Sequence, residues 1–361
     1  MSKNQKLYPF KFEAAGLDEN SVVANGFLSE NTIDDIIETY LGEIAGNDNF
    51  QYYKGIFPIK ISFNSIVKEL PPQAHPDNLT AAERYMSLGK SKLWYITKSS
   101  PKTTMYLGFK EEMDATKFYN GCLDGTLEES LHSFHPVKGD YIYIKPGCIH
   151  AVKGALEFIE VSQNSDATYH FTGEDASIEI AESIDIIDYS KVDEAACRLS
   201  KPDEGASVAN SSGFIIRLVK PGKSEFETAP QESFIAYLCL NGSATVEHDG
   251  KSYEFGKDEI ILIPAAMDSF RFIANGSTSE FLEITLPKVS ELEEDLYMNY
   301  YEDESNYPTG SGTDPEEEED EDEDHHCDCG HGHHDCDHDH CDCGHDHDDD
   351  GRHPGEFFFR R

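Results

Sequence analysis

The feature that most limits what this chain can fold into is a series of short β-type runs separated by turns. In the second half they are 214-FIIRLVKPG-222, 234-FIAYLCLNGSATVEHDGKSYEF-255, 259-EIILIPA-265, 270-FRFIANG-276 and 280-EFLEITL-286. Aromatic and β-branched residues fill each run, and Gly, Pro, Asn or Asp divides it from the next. This is the spacing of an antiparallel barrel or sandwich. The first half repeats it at 56-IFPIKISFNSIV-67, 93-LWYITKS-99, 103-TTMYLGF-109, 139-GDYIYIKPGCIHAV-152 and 155-ALEFIEVSQNSDATYHF-171. A helical stripe of Ile33, Ile36, Ile37, Tyr40, Leu41 and Ile44 occurs within 29–46, with Ser29 or Asn31 as the expected cap and Gly46 as the stop. Residues 110–134 read as two short helices split near Gly121. The predicted fold is therefore mainly β: two jelly-roll barrels in tandem, a small helical N-terminal element, and a helical insertion in the first barrel. The expected segments are a lead-in at 1–55 with its helix over 31–45, a first barrel at 56–190, and a linker at 191–212. A second barrel at 213–288 and an acidic tail at 289–361 follow.

Charge narrows the partners. The formal net charge is −41, of which −17 belongs to residues 314–361 and −24 to the rest. A body this acidic repels nucleic acid and anionic lipid. No apolar run follows the first lysines, and no stretch approaches the length of a membrane span, so a cytoplasmic protein is expected. Cys122, Cys148, Cys197 and Cys239 sit among apolar neighbours and read as reduced core thiols. Oligomeric state is not legible.

Two stretches carry chemistry in the first barrel. In 89-GKSKLWYI-96, Lys90 and Lys92 lie two apart, so both leave the same face of the strand. A buried ammonium needs an anion, either in the protein or in a ligand. In 70-LPPQAHPDN-78, Gln73 and His75 also share a face if the segment is extended, which the prolines favour. His150 follows the Lys-Pro-Gly turn of 145–147. An amide and two imidazoles can hold a divalent metal such as zinc, with an acid expected as fourth ligand. The alternative is that His75 caps a turn beside Pro76 and His150 is a satisfied core histidine.

The order FPIKISF, QAHPDN, GKSKLWYI, GDYIYIKPGCIHAV, EFIEVSQNSDATYHF, with 178-IEIAESIDIIDYSKVD-193 after it, resembles the bacterial class I mannose-6-phosphate isomerases of the cupin superfamily. The likeness runs from about residue 27 to 287. It implies two cupin barrels, a metal in the first only, and interconversion of mannose 6-phosphate and fructose 6-phosphate. The implied metal set falls on Gln73, His75 and His150, with Lys92 where the family has a Glu ligand. Lys90 matches a lysine placed near the sugar phosphate or the reacting oxygens; it is an expected catalytic residue and, with Lys92, an expected substrate-binding residue. His170 stands where the family has a catalytic Arg, and reads either as an acid or base in its place or as an ordinary strand-end histidine.

Lys92 changes the charge of that set by two units. At about 4 Å and an effective dielectric near 20, each unit pair is worth roughly 4 kcal/mol. Three outcomes are open. The ammonium replaces the metal; or the metal stays on Gln73, His75 and His150 with Lys92 swung away; or another acid, Asp77 or Glu160, rebuilds the set. A catalytically degenerate sugar-phosphate-binding or metal-responsive regulatory protein is the alternative function. The second barrel puts Ser269 where the first has His150. With His248 read as a surface residue of a hairpin tip, that barrel is expected to be structural.

The tail offers a second candidate. After the acidic run 316–324, residues 325–350 hold Cys327, Cys329, Cys336, Cys341 and Cys343 among nine histidines, including His331, His338, His340 and His345. Thiolate and imidazole bind zinc, copper(I) and nickel. The C-x-C spacing and the lack of apolar neighbours predict a multi-site chelator rather than a folded zinc ribbon.

Overall fold

The computed structural model describes residues 6–292, apart from 14–15, 19, 174–175, 201, 221–224, 229–231 and 268. Its described strands form four antiparallel sheets, two to a barrel. In the first barrel one five-stranded sheet runs Arg198–Ser200, Asp140–Ile144, Lys92–Ser99, Leu156–Gln163, Ile59–Ile66 in spatial order. The facing sheet runs Tyr169–His170, Glu69–Ala74, His150–Lys153, Thr104–Phe109, Leu131–Phe134. The second barrel pairs a six-stranded sheet with a four-stranded one.

Alternation along the strands builds three layers of core from two barrels. Trp94, Ile96, Ile142 and Phe158 point inward and meet Met105, Leu107 and Val152 of the facing sheet. Their neighbours Leu93, Ile159 and Val161 point the other way, into a core shared with Ile216, Leu238 and Leu282 of the second barrel. The central strands of the first barrel are thus buried on both faces, which is why 93-LWYI-96 is apolar without a break. The interior of the second barrel is aromatic, with Tyr237, Phe255, Phe270, Phe272 and Phe281 in one cluster.

Several local expectations change. Strands Arg198–Ser200 and Ser207–Asn210 lie in the segment read as a linker; each joins the edge of a different barrel. Phe10–Phe12, in the lead-in, pairs antiparallel with Ile260–Ile263 and extends the second barrel's sheet. The cap of helix Ile33–Tyr40 is Thr32, whose hydroxyl and Asp35 form a reciprocal capping box, rather than Ser29 or Asn31. That helix breaks at Leu41, with φ at +54°, before Gly42–Ala45. Gly121 lies inside helix Ala115–Leu123, and the break comes later, at Gly125, with φ at +70°. Residues 131–134 are a strand, because their backbone pairs with Thr104–Phe109. His248 is buried, not a surface residue; its Nδ1 lies 3.3 Å from the Ser269 carbonyl. Among the described residues no helix is long and apolar enough to cross a membrane. The metal-binding residues expected in the tail, Cys327 to His345, and the terminal 356–361 lie outside the described residues.

Phe10 is fully buried in the core that joins the barrels. Phe10→Ala is expected to cost about 3–5 kcal/mol in denaturant unfolding. Val67→Ala, at a residue 84% exposed, is expected to change stability by less than about 0.5 kcal/mol.

Candidate functional site

Three loops bring the candidate residues together, and backbone hydrogen bonds fasten them. The Gly147 N–H donates to the His75 carbonyl at 2.8 Å, and the Lys90 N–H to the Pro76 carbonyl at 3.0 Å. Gly147 takes φ +74°, and a Cβ there would lie 2.5 Å from the Ile186 carbonyl oxygen. Pro71 and Pro72 cannot donate to the ladder, and the pairing of Glu69–Ala74 with His150–Lys153 slips between Leu70 and Gln73. The slip sets Gln73 directly opposite His150.

Gln73, His75 and His150 do converge. The Gln73 amide nitrogen lies 3.1 Å from His150 Nε2, and the two imidazole centroids are 5.1 Å apart. Both rings are buried. His150 Nδ1 faces the Cys148 carbonyl at 3.1 Å, and His75 Nδ1 faces the Ala167 carbonyl at 2.9 Å. A carbonyl only accepts, so each Nδ1 carries the proton and each Nε2 presents a lone pair. His150 Nε2 receives the Gln73 amide; His75 Nε2 is buried with no hydrogen-bond partner. Burial, first, and then the charges of Lys92 and Lys90 hold both rings neutral. His150 is pushed down to about 3, and His75 lies well below the ordinary imidazole value.

The facing sheet supplies the charges. Lys92 is opposite Ser162 and Trp94 opposite Glu160, which makes Lys92 and Glu160 diagonal neighbours on one face. The Lys92 ammonium sits 3.3 Å from Glu160 Oε2, with the two side chains 8% and 13% exposed. The Trp94 indole N–H donates to the same oxygen at 2.7 Å, and its ring stands edge-on to His150 at 5.8 Å. Lys90 is half-buried, and its Nζ donates to the Ser165 carbonyl at 2.6 Å. Burial, reinforced by the neighbouring Lys92 charge, pushes Lys90 down to about 8. Of the two acids weighed as replacements, Glu160 faces Lys92. Asp77 caps helix Asn78–Tyr85 by accepting from the Thr80 N–H.

His170 stands apart from this group. The register places it opposite Gln73, but half its side chain is exposed and its Nδ1 is held 3.0 Å from Glu179. Nearby, the Tyr85 hydroxyl donates to that of Tyr169 at 2.7 Å, and Arg84 pairs with Asp185. Tyr85 and Tyr169 line a cleft of about 460 Å³ with residues 164–168, the segment whose carbonyls hold Lys90 and His75. Sequence reasoning missed Trp94, Arg84 and Tyr85 here. Trp94 had a signal, being a large polar-tipped side chain in phase with Lys92; Arg84 and Tyr85 had none.

These donors suit a divalent metal in direction but not in charge. Two neutral imidazoles and an amide converge, with His75 Nε2 bare and His150 Nε2 accepting from the Gln73 amide. A buried ammonium occupies the same neighbourhood, and the nearby carboxylate is already paired with it. Among the described residues no three His, Cys, Asp or Glu side chains gather as a metal-binding group. As the pocket stands, a dication does not fit.

Comparisons with known proteins now bear on the fold and the site. No family model matches the chain. Mannose-6-phosphate isomerase of Streptococcus mutans is 24% identical over 263 residues, covering 70% of this chain and 81% of its own. ManA, a mannose-6-phosphate isomerase of Bacillus subtilis, is 26% identical over 278 residues, covering 72% and 84%. The chain is similar in sequence to bacterial mannose-6-phosphate isomerases over about 70% of its length. The crystal structure of mannose 6-phosphate isomerase from Bacillus subtilis superposes with a TM-score of 0.59 at 23% identity, over 74% of this chain and 85% of that one. A mutant phosphomannose isomerase from Salmonella typhimurium gives 0.61 at 13% identity, over 79% and 92%. The fold, two tandem cupin barrels, is the one those structures share.

Glu160→Gln leaves the Lys92 ammonium buried without its counter-charge. It is expected to lower stability by about 3 kcal/mol in denaturant unfolding, and Lys92→Met added to it should recover most of the loss. Lys90 is about half neutral at pH 8, where an ordinary lysine is almost wholly charged. Limited reaction with an amine-selective reagent at pH 8, read by peptide mass spectrometry, should label Lys90 ahead of the exposed lysines.

Proposed function

We propose that the protein is a mannose-6-phosphate isomerase-type enzyme that interconverts mannose 6-phosphate and fructose 6-phosphate in its first barrel. The observation that carries this is the presence, inside a barrel of that fold, of two neutral imidazoles fixed by backbone carbonyls together with two ammonium groups, held by Glu160 and by the Ser165 carbonyl. Moving a proton between neighbouring carbons through an enediol needs a cation at the sugar oxygens and a base at the carbon. Lys90 binds the anionic part of the substrate. Lys92 polarises the oxygens, and the bare Nε2 of His75 takes and returns the proton. Gln73 and His150 orient the sugar, and His170 stands at the mouth. No step of this reading runs through a metal, although zinc or another divalent ion is what the donor set would hold with Lys92 removed.

A second reading has its own observation. Glu160 holds Lys92, and Glu179 holds His170 to one side. In that reading the barrel binds a sugar phosphate without converting it. The segment 325–350 then serves as the metal-responsive part, chelating through Cys327, Cys329, His331, Cys336, His338, His340, Cys341, Cys343 and His345.

The full chain is tested with mannose 6-phosphate, following conversion by phosphorus NMR and binding by the shift in melting temperature. Both signals are expected, with chelator present, and at 100 times Kd the stabilisation should approach about 2.7 kcal/mol. Lys90→Met should remove the thermal shift. A retained shift without conversion selects the binding reading, and Lys92→Glu with His170→Arg should then bring turnover with added zinc. No shift at all defeats both readings.

A further inference from the structure

The buried ammonium and the unpartnered imidazole belong to one device. We infer that Lys92 is the resident cation of the first barrel and that, paired with Glu160, it is the main barrier to a divalent metal at this donor set. This rests on the site described above and deepens the proposed function, because it names what sets the pocket's choice of cation.

Three observations carry it. First, the donors are prepared as ligands. Carbonyls of Cys148 and Ala167 fix the Nδ1–H tautomer of both rings, which is how protein metal sites aim Nε2. His75 Nε2 has no hydrogen-bond partner although it is buried, a costly state for a polar atom unless something cationic or hydrogen-donating lies nearby. Second, the cation nearby is Lys92, 3.3 Å from the Glu160 oxygen that accepts from the Trp94 indole, whose ring stands 5.8 Å from that of His150. Third, Glu160 is the carboxylate facing this ammonium, and it is engaged twice, by Lys92 and by the Trp94 indole. A dication entering would meet like charge and no free carboxylate. At a few ångströms and an effective dielectric near 20, that repulsion weakens binding by more than about a thousandfold. Removing the ammonium reverses both conditions at once. It frees Glu160 as a fourth ligand and clears the repulsion.

The chain has a single tryptophan, and it is Trp94, with its ring 5.8 Å from that of His150. A paramagnetic ion on the imidazoles quenches it, whereas cobalt held by tail cysteines is read separately, from thiolate-to-cobalt absorption. The full chain is titrated with cobalt(II) at buffered free concentrations, in the wild type, Lys92→Glu and Lys92→Met. The two variants should show saturable Trp94 quenching at free cobalt at least a hundredfold below any quenching of the wild type. Lys92→Met keeps the test intact if the added carboxylate of Lys92→Glu disturbs folding. Wild-type quenching at the same free cobalt as the variants overturns the inference, as does absence of quenching in a folded Lys92→Met. No sugar enters this titration. It stands or falls apart from the assignment to phosphorylated hexoses, which the mannose 6-phosphate thermal shift decides.

Discussion

An ammonium held between two sheets governs the first barrel. Lys92 and Glu160 are nearly withdrawn from water, so each depends on the other to remain charged. Their position is set by strand register, since Lys92 pairs with Ser162 while Glu160 pairs with Trp94. The pair reinforces the neutrality that burial imposes on two imidazoles, and it engages, with the indole, one carboxylate twice. The hydrogen bond of the indole to Glu160 also stiffens the aromatic wall, where Trp94 packs on Phe158 with centroids 4.2 Å apart. A slip of one residue in this register would turn Lys92 into the core between the barrels, where Leu93 now packs.

The scaffold around the pair is built to keep loops still. Strands carry Lys92, Trp94, Glu160, Gln73 and, at its start, His150, while turns carry Lys90 and His75. Such turns would be mobile if each stood alone. Here the turn after Ala74 is bonded to the Lys-Pro-Gly turn and to Lys90. Gly89 packs so closely on Asp77 that a Cβ would lie 2.3 Å from its carbonyl carbon. The outer face of the same sheet is sealed by the second barrel. That barrel contributes rigidity and burial, and His248 within it bonds to a backbone carbonyl rather than to a ligand set.

Similarity in fold to mannose-6-phosphate isomerases does not by itself fix the chemistry of the pocket. A fold preserves the backbone that positions side chains; chemistry depends on the few side chains placed there. Gln73, His75 and His150 occupy one space here, and the electrostatics around them are those of an ammonium–carboxylate pair.

What the chain by itself determined is what short-range rules decide. Alternation revealed the strands; spacing two apart predicted shared faces for Lys90 with Lys92 and for Gln73 with His75, but the strands begin at Lys92 and end at Ala74. The Lys-Pro-Gly turn announced that His150 would be presented inward. Tertiary structure alone decided the partners. Glu160 meets Lys92 from 68 positions away in the chain, and Phe10–Phe12 reaches Ile260–Ile263 across nearly the whole described length. The tautomer of His75 was set by the Ala167 carbonyl on another loop, whereas that of His150 came from Cys148, two residues before it. His248 was buried by an approach that no local pattern encodes. Local periodicity records which face a side chain leaves from; which charge waits opposite depends on register and closure between distant strands.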